Sequence, residues 1–262
     1  MSRPAFARLG VLIAVIGLTV VAVAGAVTVQ KRGLRVSILS QIMPYKLPRE
    51  KTAPIAVFVA GRLENAKGGI PPQLQRLTID VNRHGLLQSR GLPVCSLPRI
   101  QPASSDRALT RCGDALIGSG RFWAHIVLPD QGAYPTQGRL LVFNGRRGNR
   151  PLLLAHIFTD VPFNTSFVIP FAIKRVSKGP YGTELSASLP EALGSWGYVD
   201  RIKLTLRRKY RYRGRQLSYF NAGCPAPPGA TRTAFSLAKG TFSFASGPPI
   251  QVKVIKACGV KQ

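Results

Sequence analysis

Acidic residues are scarce in this sequence, which contains 10 Asp and Glu against 37 Lys and Arg among its 262 residues. The formal net charge is +27 at pH 7, so positive potential covers most of the surface and favours anionic partners. Histidine is also scarce, with only three residues: His84, His125 and His156. Because acid–base catalysis and metal binding need such groups to be brought together, the sequence offers few candidates for either.

The motifs that carry common chemistry are missing as well. The sequence contains no GxSxG elbow, no HExxH pair, no GxxxxGK[ST] phosphate loop and no EF-hand loop. His125 and His156 lie on predicted strands and could hold a metal with Asp130 or Asp160, but histidines of this kind more often have a structural role. We therefore predict no catalytic residue, no metal site and no cofactor. A non-enzymatic protein is the leading expectation, and an enzyme of unrecognised type is the alternative.

One long hydrophobic run is present, at the N-terminus. The segment from Leu9 to Gln30 has no charged residue, and at ~1.5 Å per residue a helix of this length crosses a ~30 Å hydrocarbon layer. Within it, Ala22-Val23-Ala24 fits the small-residue pattern before a signal-peptidase cut. We predict that residues 1–30 are a cleaved signal peptide or a retained membrane anchor. In both cases the rest of the chain is expected outside the cytoplasm, secreted or anchored to the cell membrane.

The four cysteines form an even set: Cys95, Cys112, Cys224 and Cys258. None is spaced as CxxC or accompanied by a nearby pair of histidines, so disulfides are favoured over zinc in an exported chain. Three connectivities are possible, and pairing Cys95 with Cys112 and Cys224 with Cys258 closes the shortest loops. We predict this local connectivity.

Short alternating strands dominate the chain after residue 52. Pro44 and Pro48 make residues 31–52 an extended lead-in, and residues 53–262 form the predicted extracytoplasmic β domain. Helical spacing is sustained only from Ser104 to Ile117, where a serine can cap the first turn. The prediction is a mainly β fold, an antiparallel β-sandwich or barrel-like double sheet with one short helix, preceded by an N-terminal hydrophobic helix.

The most strongly patterned stretch is the basic ribbon, which we define as residues 200–224. Its even positions are mostly apolar and its odd positions mostly cationic, which is typical of a strand with one buried face. Gly214 is predicted to turn the chain back into a hairpin. Five cations on the odd positions are predicted to bind an anionic ligand. We call them the basic stripe: Lys203, Arg207, Lys209, Arg211 and Arg213.

Outside a cell, the available polyanions are cell-wall polymers and anionic lipid headgroups. We therefore expect an anionic cell-wall polymer or an anionic membrane surface as the partner, and no specific nucleic acid. The alternatives are an ordinary solvated strand face, which also protects sheet edges, and a carbohydrate-binding or lipid-binding protein. Trp123, beside Arg121 and His125 on one strand face, could stack a sugar ring, although a position in the core is the favoured expectation. Trp196 is expected at a packed corner.

Several short motifs of the sequence carry a resemblance to a group of exported proteins. They are GLPVC (91–95), CGDALIGSG (112–120), VIPFAI (168–173), YGTELSASLP (181–190), WGY (196–198), YRYRG (210–214), CPAPPG (224–229) and GTFSFASG (240–247). Together they resemble an uncharacterised family of exported, disulfide-containing, β-rich proteins from actinobacteria, over roughly Pro44 to the C-terminus. The resemblance implies an exported protein with disulfides, and no known activity comes with it.

Overall fold

The fold is seen in a computed structural model, which describes residues 25–127, 132–189 and 197–261. The described residues form eighteen strands and two short α-helices. The first strands are β1 Val27–Lys31, β2 Leu34–Met43, β3 Lys46–Leu47, β4 Ala53–Pro54, β5 Ala56–Asn65, β6 Leu74–Asn82 and β7 Gly85–Leu87. After helices α1 Leu97–Ile100 and α2 Ser105–Cys112 come β8 Leu116–Ile126, β9 Tyr134–Arg147, β10 Arg150–Thr159, β11 Thr165–Lys178 and β12 Tyr181–Ser188. The last strands are β13 Gly197–Leu206, β14 Lys209–Tyr212, β15 Arg215–Ser218, β16 Phe220–Ala222, β17 Arg232–Phe244 and β18 Ile250–Val260.

Thirteen of these strands form one large sheet, in the order β1, β2, β5, β13, β8, β9, β10, β11, β12, β6, β17, β18, β3. Neighbouring strands are antiparallel except for β18 and β3, which pair in parallel. The sheet curls until β1 and β2 at one edge pack against β17 and β18 near the other, around Val36, Phe244 and Val252. The mainly β, antiparallel prediction is therefore confirmed.

The concave face of the curled sheet carries the apolar core. Strict alternation along β8, β9 and β10 points Phe122, Leu140 and Ile157 into one cluster. A second cluster contains Ile117 and Val142 together with Tyr210, which arrives from the separate two-stranded hairpin of β14 and β15. The core is thus formed by the large sheet and by the hairpin of β14 and β15, which packs on its concave face.

The opposite face of β9 and β10 is covered by the helices. Ser104 caps α2 by accepting a hydrogen bond from the Arg107 backbone N–H at 3.3 Å, as the capping residues predict. The predicted helix was too long, because α2 ends at Cys112, a 3₁₀ turn follows, and Leu116 already pairs with Phe143 of β9. The structure adds a second short helix, α1, before the predicted one.

Both predicted disulfides are confirmed. Cys95 and Cys112 are bonded with Cα atoms 5.5 Å apart, and Cys224 and Cys258 are bonded with Cα atoms 5.8 Å apart. The first bond ties α2 to the segment that hydrogen-bonds Asn144 of β9. All four cysteines are buried.

The N-terminal part of the fold differs from the expectation. Strand β1 pairs with β2 and includes Val27 to Gln30. In the sequence, these residues lie at the end of the hydrophobic segment. Residues 34–43, assigned to an extended lead-in, form β2 and pair with β5 along its whole length, so the sheet begins before residue 53. The predicted N-terminal hydrophobic helix otherwise lies in residues 1–24, outside the described residues. Neither helix in the described part of the chain is long and apolar enough to cross a membrane.

Candidate functional site

The basic ribbon is not one continuous strand. It is divided between β13, which lies in the large sheet between β5 and β8, the hairpin of β14 and β15, and β16, which pairs with β4 and β7. The division falls at Arg207 and Arg208, where the Arg207 N–H still donates to Ile117 and the Arg208 guanidinium donates to the Asp114 carbonyl oxygen at 2.9 Å. Arg208 occupies an apolar position of the alternation, and this bond gives its cation an acceptor there.

The members of the basic stripe are all exposed, as the alternation predicts: Lys203, Arg207, Lys209, Arg211 and Arg213. Lys203 projects from β13, whereas the other four follow the break or lie on the hairpin. Arg213 and Gly214 form the hairpin turn with φ of 49° and 75°, as a two-residue type I′ turn requires. The five cations therefore occupy two elements of the fold, and their binding of an anion stays a prediction.

Tyrosines hold the hairpin in place. Tyr210 is buried and its hydroxyl lies 3.1 Å from the Gln88 carbonyl oxygen and 3.0 Å from that of Arg90. Burial raises the pKa of Tyr210, so the hydroxyl stays protonated as a donor. Tyr212 packs in the same cluster, and the Arg213 guanidinium lies 5.4 Å from its ring centroid. These contacts anchor the hairpin from its even-numbered positions and leave the odd-numbered cations in solvent.

A second cationic surface surrounds Trp123 on the outer face of β8 and β13. The ring centroid lies 5.4 Å from the Arg201 guanidinium, 5.8 Å from Lys203 Nζ and 6.0 Å from the Arg121 guanidinium. We call these four residues the Trp123 cluster. Trp123 is half-buried rather than a core residue, so the favoured expectation for it is wrong. Because cations lie over the face of the indole ring, Trp123 is also poorly placed to stack on a neutral sugar.

The register of β13 on β8 explains the cluster. Arg201 is opposite Trp123 and Lys203 is opposite Arg121, and directly opposed residues of an antiparallel pair share one face. A β-bulge between Val199 and Arg201 inserts Asp200 as an extra residue. Sequence alternation alone could not show this surface, because its members come from strands that are about 80 residues apart in the chain.

Asp200 contacts His125 at the edge of the Trp123 cluster. His125 Nδ1 lies 3.7 Å from Asp200 Oδ2, and the imidazole stacks on Tyr198 with ring centroids 5.0 Å apart. Burial, and to a lesser extent the charge of Asp200, raise the pKa of Tyr198. The three side chains could move a proton, but each is only partly buried. None of them lines either of the two clefts described below.

His156 is far from His125 in the sheet and has a different environment. It is fully buried, and its Nε2 donates to the Ala103 carbonyl oxygen at 2.9 Å, while Nδ1 has no partner among the described residues. Burial lowers the pKa of His156, and the hydrogen bond to Ala103 opposes that shift. The two histidines therefore do not meet. No group of three His, Cys, Asp or Glu side chains in the described ranges could hold a metal ion, and Asp130 lies outside them.

Two clefts of the described part of the chain are small. One, of about 200 Å³, lies beside the turn between β1 and β2, and the other, of about 240 Å³, lies beside α2. Both are below the ~300–1,000 Å³ of a usual small-molecule pocket. The basic surfaces are therefore the stronger candidate site.

Comparison with protein families, with curated proteins and with solved structures finds no match to this chain.

Proposed function

We propose that this protein is a non-enzymatic extracytoplasmic protein that contacts an anionic component of the cell envelope, a wall polymer or an anionic lipid surface, through its basic stripe. One observation carries the proposal. All five cations of the stripe are exposed, and none of them forms an ion pair within 4.0 Å with a carboxylate of the described residues.

The distribution of carboxylates strengthens this argument. Eight of the ten lie in the described ranges, and five of these eight are paired with other basic groups: Glu64, Asp80, Asp106, Glu184 and Asp200. Little negative charge is left to neutralise the stripe. An external polyanion would therefore meet cations that pay no cost in broken internal ion pairs.

The cysteines support the compartment. Both disulfides are compatible with an oxidising environment outside the cytoplasm, where such bonds form and persist.

The test is a variant in which Arg207, Lys209, Arg211 and Arg213 are replaced together by Gln. Retention of the full-length protein would be measured on isolated cell wall and on anionic vesicles at increasing salt. We expect the variant to lose at least tenfold in apparent affinity at low salt. The loss should shrink at 1 M salt, where the Debye length is ~3 Å instead of ~10 Å at 0.1 M.

A control variant separates the stripe from net charge. Replacing Lys51, Lys67, Arg107 and Arg232 by Gln removes the same four charges from other exposed positions. The control should bind nearly as well as the parent protein. Equal losses in the two variants would reduce the stripe to part of a general positive potential, and unchanged binding of the stripe variant would reject the proposed function.

A carbohydrate-binding role is the second candidate, and the Trp123 cluster is the observation that favours it. Three cations around one indole suit a sugar that carries phosphate or carboxylate rather than a neutral one. Titration with an anionic and a neutral polysaccharide, in the parent and in Trp123→Phe, tests this. Tryptophan emission should respond only to the anionic polysaccharide and only in the parent.

A further inference from the structure

Exposed apolar side chains collect where β3 meets β18. Ile255, Tyr45 and Met43 are 54%, 51% and 49% exposed. Alternation places Ile255, Ala257 and Gly259 on the same face of β18, and Tyr45 rests on Gly259, where a Cβ would lie 3.0 Å from Tyr45 Cε1. We call Met43, Tyr45, Ile255 and Ala257 the apolar patch. Exposed apolar side chains grouped on one face of a protein often mark an interaction site.

Cations border the apolar patch. Lys253 shares the face of Ile255, and Lys46 pairs with Gly259 in the parallel register of β3 and β18. Both lysines are exposed, and neither forms an ion pair with a carboxylate of the described residues. This arrangement suits the interface of a bilayer, where aromatic and aliphatic side chains contact acyl chains and lysines reach anionic headgroups.

A second group of exposed apolar residues has a carboxylate beside it. Val161 and Phe163, in the turn between β10 and β11, are 55% and 46% exposed. The neighbouring Asp160 is exposed as well and would be repelled by anionic headgroups. The apolar patch and the turn with Val161 and Phe163 are nearly equal in apolar exposure. Only the apolar patch has a charge that is complementary to anionic headgroups.

The direction of β1 favours the same surface. β1 is antiparallel to β2 and begins with Val27 opposite Ile38, so the chain reaches Val27 from the side on which β2 ends at Met43. The uncharged run that starts at Leu9 continues to Gln30, so no hydrophilic linker separates it from the sheet. If that run enters a bilayer, the side of Met43 is held close to the lipid surface.

We propose that the apolar patch rests on an anionic lipid bilayer, with Tyr45 and Ile255 at the level of the headgroups and Lys46 and Lys253 on lipid phosphates. This inference rests on the proposed contact with an anionic envelope component, and it assigns that component to lipid rather than to wall polymer. It also orients the molecule, because the turn of Val161 and Phe163 would stay in solvent.

Quenching by lipids with brominated acyl chains tests the orientation in the full-length protein. Ile255→Trp and Val161→Trp are a matched pair, since the parent side chains are 54% and 55% exposed. In vesicles that contain phosphatidylglycerol, we expect the emission added by Ile255→Trp to be quenched at least twofold more than that added by Val161→Trp. Equal quenching, or stronger quenching of Val161→Trp, would overturn the proposed orientation.

Charge and partner are tested in the same vesicles. Replacing Lys46 and Lys253 by Gln in the Ile255→Trp protein should at least halve the quenching, whereas replacing the exposed Lys67 and Lys174 should not. Retention on isolated wall polymer without selective quenching of Ile255→Trp would overturn the lipid assignment and leave the proposed function standing. The stripe variant, in contrast, reports only on the proposed function, because its substitutions lie outside the apolar patch.

Discussion

The ring of Tyr212 lies directly over the backbone of Gly91. Gly91 has φ of +79°, and a Cβ at this position would overlap the Tyr212 ring atoms Cγ and Cδ2. The loop that precedes α1 therefore accepts the side chain of β14 only because residue 91 has no side chain. This contact and the two hydrogen-bond acceptors of Tyr210 attach the basic hairpin to the rest of the fold.

Gly91→Ala should lower the free energy of unfolding by about 2–5 kcal/mol, the sum of left-handed backbone strain and overpacking against Tyr212. Gly229→Ala is the matched control, since Gly229 has the same φ of +79° and no atom within 4 Å of the added Cβ. The control should lose only about 1–2 kcal/mol, the cost of strain alone. Urea unfolding measures both, and equal losses would show that the Tyr212 ring moves aside.

Stability should fall as the pH is lowered below about 6.5, because burial lowers the pKa of His156 from its ordinary value of 6.5. Between the folded and the unfolded pKa the unfolded chain binds one more proton, which gives a slope of at most ~1.4 kcal/mol per pH unit. The contribution is complete above the unfolded pKa and is lost towards the folded one. His156→Gln should flatten the difference between pH 7.5 and pH 5 in thermal unfolding. An identical pH dependence in parent and variant would assign the effect to other groups.

Each disulfide should contribute about 2–4 kcal/mol to stability by restricting the unfolded chain. The bonds join residues separated by 17 and 34 positions, so on the chain-entropy model the Cys224–Cys258 bond is worth about 0.6 kcal/mol more. Guanidinium unfolding of the two double Cys→Ala variants measures the difference. A larger cost for the Cys95–Cys112 pair would indicate that its attachment of α2 outweighs the loop entropy.

Asp200→Asn should strengthen binding to polyanions, because it removes the carboxylate that accompanies Arg201 at the Trp123 cluster. The salt concentration that elutes the protein from a phosphate resin should rise relative to the parent. Asp114→Asn makes the same charge change at an exposed position beside α2 and should shift elution less. Equal shifts would exclude a specific contribution of the Trp123 cluster.

Much of the fold was predictable because its causes are local. Alternation predicted the mainly β fold, Ser104 marked the start of α2, and the short spacing of the cysteines identified both bonds. The alternation in residues 200–213 also predicted which cations would be exposed. The alternation did not predict the break at Arg207 and Arg208. The residues of β13 and β14 alternate in phase, but the two strands pair with different partners.

The chain by itself determined the charge, the disulfide loops and the alternation of inward and outward positions in residues 200–213, since these follow from composition, short spacing and the two-residue period of β structure. Only the tertiary structure decided that Arg121, Trp123, Arg201 and Lys203 share one surface and that Tyr45 meets Gly259. Those neighbours depend on strand order and register between segments distant in the chain. The burial of whole strand faces sets the register. The residues that become neighbours on the outer surface do not set it.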